Sequence, residues 1–251
     1  MTEDEILARL LYRDGLILVL NKPAGLAVHR GPKGGETLED SLHFLTFGLP
    51  RNPALAHRLD KDTSGCLILG RHRKALEKMM LLFKRGEVNK TYWAVVMGGP
   101  LEQEGLIDLP LAPQNPDRGW WMKVDPSGAP SQTRWKVLGR GVANGQEING
   151  QALNGQPLTW LQLEPLTGRT HQLRVHCAHM GWPILGDNIY GVNGQSEREM
   201  MHLHARDVTF SLSKNKPPLN VVAPPPEHML AHLALCGWQQ PVVDPAQAPL
   251  A

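Results

Sequence analysis

Residues 57–65 read HRLDKDTSG, and the apolar run Cys66–Leu69 follows at once, closed by Gly70. Two carboxylates, Asp60 and Asp62, stand among His57, Arg58 and Lys61. A charged cluster set against a compact, strand-like run has two readings. It is a solvated turn, or it is a site carboxylate aimed by neighbouring cations and anchored by a buried strand. A carboxylate that works at neutral pH must be kept ionised and held in place. A guanidinium does both, since its charge lowers the carboxylate pKa and its planar fork fixes geometry. Arg58 is one candidate partner; Arg169 and Arg174 in GRTHQLRVH (168–176) are the others. A structural ion pair accounts for the same pattern, so both readings stand on these residues alone.

Outward from that cluster the chain alternates strand-like and helix-like signals. LILVLNKPAG (16–25) reads as a strand entering a turn at Pro23 and Gly25. GPKGGET (31–37) is a loop, and a short helix is expected from Thr37 over LEDSLHFL. Apolar residues at Leu76, Met79, Met80 and Phe83 have helical spacing, with Gly86 as the stop. KTYWAVVMGG (90–99) and LTWLQLEP (158–165) read as strands, the second half-buried by its alternation. Residues 117–139, centred on the turn DPSG, are expected to form a hairpin. In 143–157 the tripeptide Asn-Gly-Gln occurs three times, which predicts an exposed, mobile hairpin tip. HQLRVHCAHMG is expected to be a helix that buries Leu173, Val175, Cys177 and Met180 and ends at Gly181. Core-building patterns never stop and restart, so a single domain over 1–238 is expected. A disordered Pro- and Ala-rich tail over 239–251 follows it.

Composition narrows the function. The 251 residues carry a formal charge of only +2 and are 41% hydrophobic, enough for a sizeable core. No apolar run approaches the roughly 20 residues that cross a bilayer. The N-terminal stretch MTEDEILARLLYRDG is acidic where a signal peptide is basic, so a cytoplasmic protein without a membrane partner is expected. Cys66, Cys177 and Cys236 form no CxxC pair, which argues against a disulfide framework or a cysteine zinc site. His171, His176 and His179 cluster, but no HExxH motif accompanies them, and metal binding is the weaker reading. No GxSxG, GxGxxG or Walker motif occurs, so neither a hydrolase elbow nor a nucleotide cofactor is implied. The charge is uneven: residues 57–90 hold nine Lys or Arg against four Asp or Glu. Arg118, Trp120, Trp121 and Lys123 interleave basic and aromatic groups. Structured RNA suits such a surface, through phosphate neutralisation and base stacking. A solvated helix face suits the basic residues of 71–90 equally well.

The motifs, taken in order, resemble those of RluA-type RNA pseudouridine synthases. HRLDKDTSG is similar to the family signature HRLDxxTSG. NKPAGLAVH (21–29), KTYWAVVMG (90–98), LEPLTGRTHQLRVHCAHMGWPILGDNIYG (163–191) and LHA (203–205) resemble further family motifs in the family's order. The resemblance implies an α+β fold: a mixed, mainly antiparallel central sheet flanked by helices, with a central active-site cleft. It implies isomerisation of uridine in ribosomal or transfer RNA to pseudouridine, with neither metal nor nucleotide cofactor. It places the catalytic aspartate at Asp60, a base-stacking tyrosine at Tyr92, and the aspartate's basic partner at Arg174. Leu173 falls on an apolar wall of the uracil pocket and Arg58 on an arginine that holds the vacated place in the RNA. Arg169 and His57 are further substrate-binding candidates, and Asp62 is expected to cap the local turn. Many relatives carry an S4 domain ahead of these motifs. Here the motifs begin by residue 21, so the catalytic domain itself is expected to recognise RNA, as a monomer. The competing reading is an RNA-binding or RNA-folding protein whose catalysis is dispensable.

Overall fold

The structure, a computed structural model, describes residues 1–31, 34–115, 121–143, 147–148, 151–152, 155–191, 200–213, 215 and 217–240. In chain order the elements are α1 (Glu3–Leu7), β1 (Leu10–Arg13), β2 (Ile17–Lys22), a 3₁₀ helix (Leu38–Leu45), β3 (Ala54–Leu55), β4 (Ser64–Gly70), α2 (Arg73–Arg85) and β5 (Asn89–Met97). Then come β6 (Glu104–Asp108), β7 (Leu111–Pro113), β8 (Met122–Val124), β9 (Gln132–Ala143), β10 (Glu147–Ile148), β11 (Gln151–Ala152) and β12 (Gln156–Pro165). The chain ends with α3 (Gln172–His179), β13 (Leu203–Phe210), β14 (Leu219–Val222) and α4 (Glu227–Leu235). Among these residues no helix is long and apolar enough to cross a membrane. The three cysteines are buried thiols.

Ten strands form one sheet, ordered β1-β2-β4-β13-β5-β12-β9-β6, with β14 beside β13 and β3 beside β4. All its pairings are antiparallel except β4 with β13. This is the mixed, mainly antiparallel α+β sheet that the resemblance implied. One row crosses its centre: Gly65, Ala205, Tyr92, Leu163 and Trp135 lie on successive strands in register. One half of the sheet is covered by α1, α2 and the 3₁₀ helix, around buried Leu18, Leu20, Leu67, Leu69 and Met79. On the other half, Leu161, Leu163, Leu173 and Trp182 pack on one face, and Trp160, Met229 and Leu233 on the opposite one. Both faces are therefore covered along Leu158–Leu161, and this stretch is buried throughout rather than alternately. Helix α4 closes the second face. Two glycines of β9 admit its C-terminus, since a Cβ at Gly139 or Gly141 would overlap the Cys236 or Leu235 carbonyl.

Two expectations change with the tertiary packing. Residues 117–139 are not a self-contained hairpin: β8 pairs with β7, whereas β9 lies between β6 and β12. The DPSG turn does form, with Gly128 N–H on the Asp125 carbonyl at 2.8 Å, but it folds back on Leu111. The preceding strand found a partner earlier in the chain. Met80 and Met180, placed in the core by helical spacing, are 54% and 44% exposed, because the cores reach only the Leu76/Met79/Phe83 and Leu173/Cys177 sides of their helices. The 143–157 segment is bracketed by the β9–β12 and β10–β11 ladders, as a hairpin requires. Its expected mobility and exposure lie outside the described residues. So do Arg118, Trp120 and the tail from 241 onward.

The loop carrying Asp60 is fixed at both ends. Lys22, at the end of β2 and 1% exposed, donates from Nζ to the carbonyls of Pro23 (2.7 Å), Leu26 (2.8 Å) and Lys61 (2.9 Å). One ammonium thus ties the Pro23–Gly25 turn to the residue beside Asp60. Burial pulls the Lys22 pKa down to about 7, against the opposing pull of Asp62 and Asp60. At the other end Gly65 has φ +105°, and a Cβ there would lie 2.2 Å from the Ala205 carbonyl oxygen.

The two features give separate predictions. Gly65→Ala is expected to lose about 3 kcal/mol or more in urea unfolding, from strain and a backbone clash together. Gly25→Ala, with φ +81° but open space around it, should lose only about 1–2 kcal/mol. Equal losses would show that β4 and β13 are not so closely apposed. For Lys22, the unfolded chain binds the proton more tightly than the folded one. Lys22 should therefore make stability rise with pH between about 7 and 10.5 and contribute no slope below about 7, where both states hold the proton. In Lys22→Met that slope should be missing, and an unchanged slope would place the titration elsewhere.

Candidate active site

Asp60 opens a turn closed by the Thr63 N–H on its carbonyl (3.2 Å), and the strand β4 begins directly after it. Its carboxylate, 29% exposed, faces a cleft of about 1040 Å³. Arg174 approaches from α3. Its side chain is 3% exposed, and Nη1 lies 3.5 Å from Asp60 Oδ2. The tighter partner of Arg174 is Asp187, not Asp60: Nε and Nη2 donate to its Oδ2 (2.8 Å) and Oδ1 (2.7 Å). The Ile189 and Tyr190 N–H groups donate to the same carboxylate. Burial alone would raise the Asp187 pKa; Arg174 and the two amides overcome it and hold the carboxyl below its ordinary value. A guanidinium this buried needs a two-point counterion, which the partly solvated Asp60 does not supply. Asp187 is not among the residues that sequence patterns single out. The available signal was a lone carboxylate in the otherwise uncharged stretch WPILGDNIYG.

The other candidates gather round the same cleft. Tyr92 lines it from the centre of β5, with Leu173 of α3 (6% exposed) and Leu203 of β13. Burial pushes the Tyr92 phenol well above its ordinary pKa, and the Asp60 charge adds to the shift. Arg58 is exposed and donates from Nη2 to Thr170 Oγ1 at 3.3 Å, bridging the Asp60 loop to the approach of α3. Arg169 stands on the rim and donates from Nε to the Pro130 carbonyl at 3.1 Å. His57 lies on the wall, but its Nε2 accepts the Ile68 N–H at 3.0 Å. That nitrogen pins the loop to β4 and is not free for a substrate. Burial pushes the His57 imidazole down to about 3, and Lys90 contributes to the shift. A further carboxyl, Asp207, also lines the cleft, its pKa raised by burial.

Buried histidines are engaged within the fold. His176 bonds to Thr133 Oγ1 (2.9 Å) and the Leu109 carbonyl (3.0 Å). His202 bonds to the Met200 carbonyl (3.0 Å) and His232 (2.9 Å), and His204 to Ser64 (2.9 Å) and the Ala223 carbonyl (3.2 Å). Among the described residues no group of three or more His, Cys, Asp or Glu is arranged to hold an ion.

Comparison with known proteins agrees with this geometry. The RNA pseudouridylate synthase family model matches residues 16–179. An uncharacterised RNA pseudouridine synthase from Zymomonas mobilis is 38% identical over 87% of this chain and 94% of its own length. A ribosomal large subunit pseudouridine synthase C from Vibrio vulnificus is 34% identical over 88% of this chain, which spans 66% of that longer relative. Among solved structures, human RNA pseudouridylate synthase domain containing 4 superposes with a TM-score of 0.75 at 26% identity, covering 95% of this chain and 97% of the other. The chain belongs to the RNA pseudouridylate synthase family, enzymes that isomerise uridine within RNA to pseudouridine.

Proposed function

We propose that Asp60 is the carboxylate that carries out this isomerisation, on a uridine of structured RNA. The observation that carries the assignment is its place in the cleft: Arg174 stands against Oδ2, and Tyr92 and Leu173 line the same space. The reaction breaks the N1–C1′ bond, turns the uracil, forms the C5–C1′ bond and releases the C5 proton. Asp60 either attacks C1′ or removes a proton from C2′ to give a glycal. Both routes need an ionised carboxylate with one oxygen available. A uridine in folded RNA must leave its stack before C1′ is reachable. Tyr92 offers the flipped base an aromatic face and Leu173 an apolar wall, a form of stacking worth about 1–3 kcal/mol per base. Arg58, Arg169, Arg134, Lys84 and Lys90 border the cleft and can meet phosphates.

Ribosomal RNA is the first substrate to test, on the name of the Vibrio vulnificus relative, and transfer RNA is the second. We place the enzyme in the cytoplasm as a single-domain monomer acting without metal or nucleotide cofactor. Burial keeps Tyr92 neutral near pH 7, so its hydroxyl takes the C5 proton only by passing its own proton on at the same time, and the Asp60 carboxylate, which lines the same cleft, is the acceptor we assign to it.

Tritium release from C5-labelled uridine in ribosomal and transfer RNA transcripts tests the assignment. Asp60→Asn should reduce release to background while RNA affinity stays near that of the wild type. Loss of affinity together with activity would make Asp60 a structural residue, and full activity would remove it from the mechanism. Tyr92→Phe keeps the ring and loses the hydroxyl. It should bind RNA normally and form product about a hundredfold more slowly. A Phe variant at full rate would leave Tyr92 as a stacking face only.

A further inference from the structure

His171 is the residue at which the chain enters α3. Its backbone sits at φ 52°, ψ 18°, in the left-handed region. For a residue with a Cβ that conformation costs on the order of 1–3 kcal/mol. The side chain makes no capping bond to the helix it precedes. Its Nδ1 lies 2.8 Å from Tyr190 Oη instead. That oxygen already accepts the Met122 N–H at 2.9 Å. Among the described residues, His171 Nδ1 is the acceptor within reach of the phenolic hydrogen. A ring whose Nδ1 accepts carries its proton on Nε2 when neutral. Nε2 lies 3.8 Å from Asp60 Oδ2, the same oxygen that Arg174 Nη1 approaches at 3.5 Å.

We infer that His171 is a positioning residue for the Asp60 carboxylate. Its Nε2–H and the Arg174 guanidinium hold Oδ2 from two directions and leave Oδ1 for the ribose, an inference that rests on the assignment of Asp60 above. At 3.8 Å the contact is electrostatic rather than a full hydrogen bond, and such contacts tighten when substrate binds. Among the described residues, the charged and titratable groups acting on the ring include Asp60, Arg58, Arg174, Asp187 and Tyr190. Burial lowers the imidazole pKa, and Asp60 opposes the shift only in part. The ring is therefore neutral near pH 7, and it orients the carboxylate without cancelling its charge. The Tyr190 ring also lies 5.3 Å from the Arg174 guanidinium carbon, so one phenol braces both donors.

Two substitutions separate this role from backbone strain. Asn tolerates the left-handed region, but its amide reaches only as far as Nδ1. Gln places an N–H near the position of Nε2. Single-turnover pseudouridine formation should fall about a hundredfold in His171→Asn, the scale of loss from small misplacement of a reacting group. RNA affinity and melting temperature should hold, and His171→Gln should recover most of the rate. Equal rates for the two variants, both fast or both slow, would overturn the inference. Nitrogen-15 shifts of His171 give a reading that needs no RNA. The wild type should show the Nε2–H tautomer, and Asp60→Asn should titrate at lower pH because the favourable charge is gone. An Nδ1–H tautomer or an unmoved titration would overturn it too. A wild type that forms no pseudouridine fails the functional assignment instead, and the two failures are thereby told apart.

Discussion

Arg174 carries a full positive charge at a position 2% exposed to solvent. Such a group is tolerated only if its nitrogens are met by fixed acceptors, and removing one partner of a buried pair costs about 3–5 kcal/mol. Asp187 meets two nitrogens, and its own position is set by the sheet. Residues 183–185 run along β5, with Met97 N–H on the Pro183 carbonyl and Leu185 N–H on the Val95 carbonyl. Tyr92 stands on the same strand. The counterion of the arginine and the aromatic face of the cleft thus hang from one rigid element. The nitrogen left over, Nη1, is aimed at Asp60 by geometry that Asp60 does not itself have to provide.

That arrangement explains why the carboxylate sits on a loop. A loop leaves Asp60 partly solvated and open to the cleft, but a free loop would not hold it within the small tolerance that catalysis allows. Three anchors remove the freedom. Lys22 binds the Lys61 carbonyl, His57 accepts the Ile68 N–H, and Gly65 brings β4 against β13. Two of the anchors use titratable groups whose pKa burial has lowered, and the third uses the absence of a side chain. Each holds the backbone of the loop that carries the carboxylate, or the strand that follows it.

The parts legible in the sequence share a physical reason. Charged residues abutting an apolar strand are locally conspicuous, so Asp60 stood out, as did the helices with period-matched apolar residues and a glycine stop. Contacts between distant segments leave no such trace. The parallel pairing of Ser64 with His204 joins segments far apart in the chain, and nothing local announces it. Asp187 lies within a family-like motif, but no spacing there marks it as a counterion. His57 sits among charges, which points to a substrate contact, whereas its bond to Ile68 depends on how the loop folds back. The 117–139 segment failed for a related reason, since a strong turn signal specifies a turn but not which strands it joins.

Electrostatics at the cleft has one further requirement. Asp60 and Asp187 are two negative charges against the one positive charge of Arg174, with His171 and Tyr92 neutral, so the inner site is anionic. RNA is a polyanion and would be repelled from such a centre if nothing screened it. The cations around the cleft are placed where that repulsion would be felt: Arg58 beside Asp60, Arg169 on the approach to α3, Lys84 and Lys90 at the end of α2 and the start of β5. Interactions at the exposed rim weaken with salt, while those of the buried centre do so far less. The fold therefore divides its charge by depth. On the proposed assignment, the rim cations meet phosphate and the interior holds the Asp60 carboxylate beside Arg174.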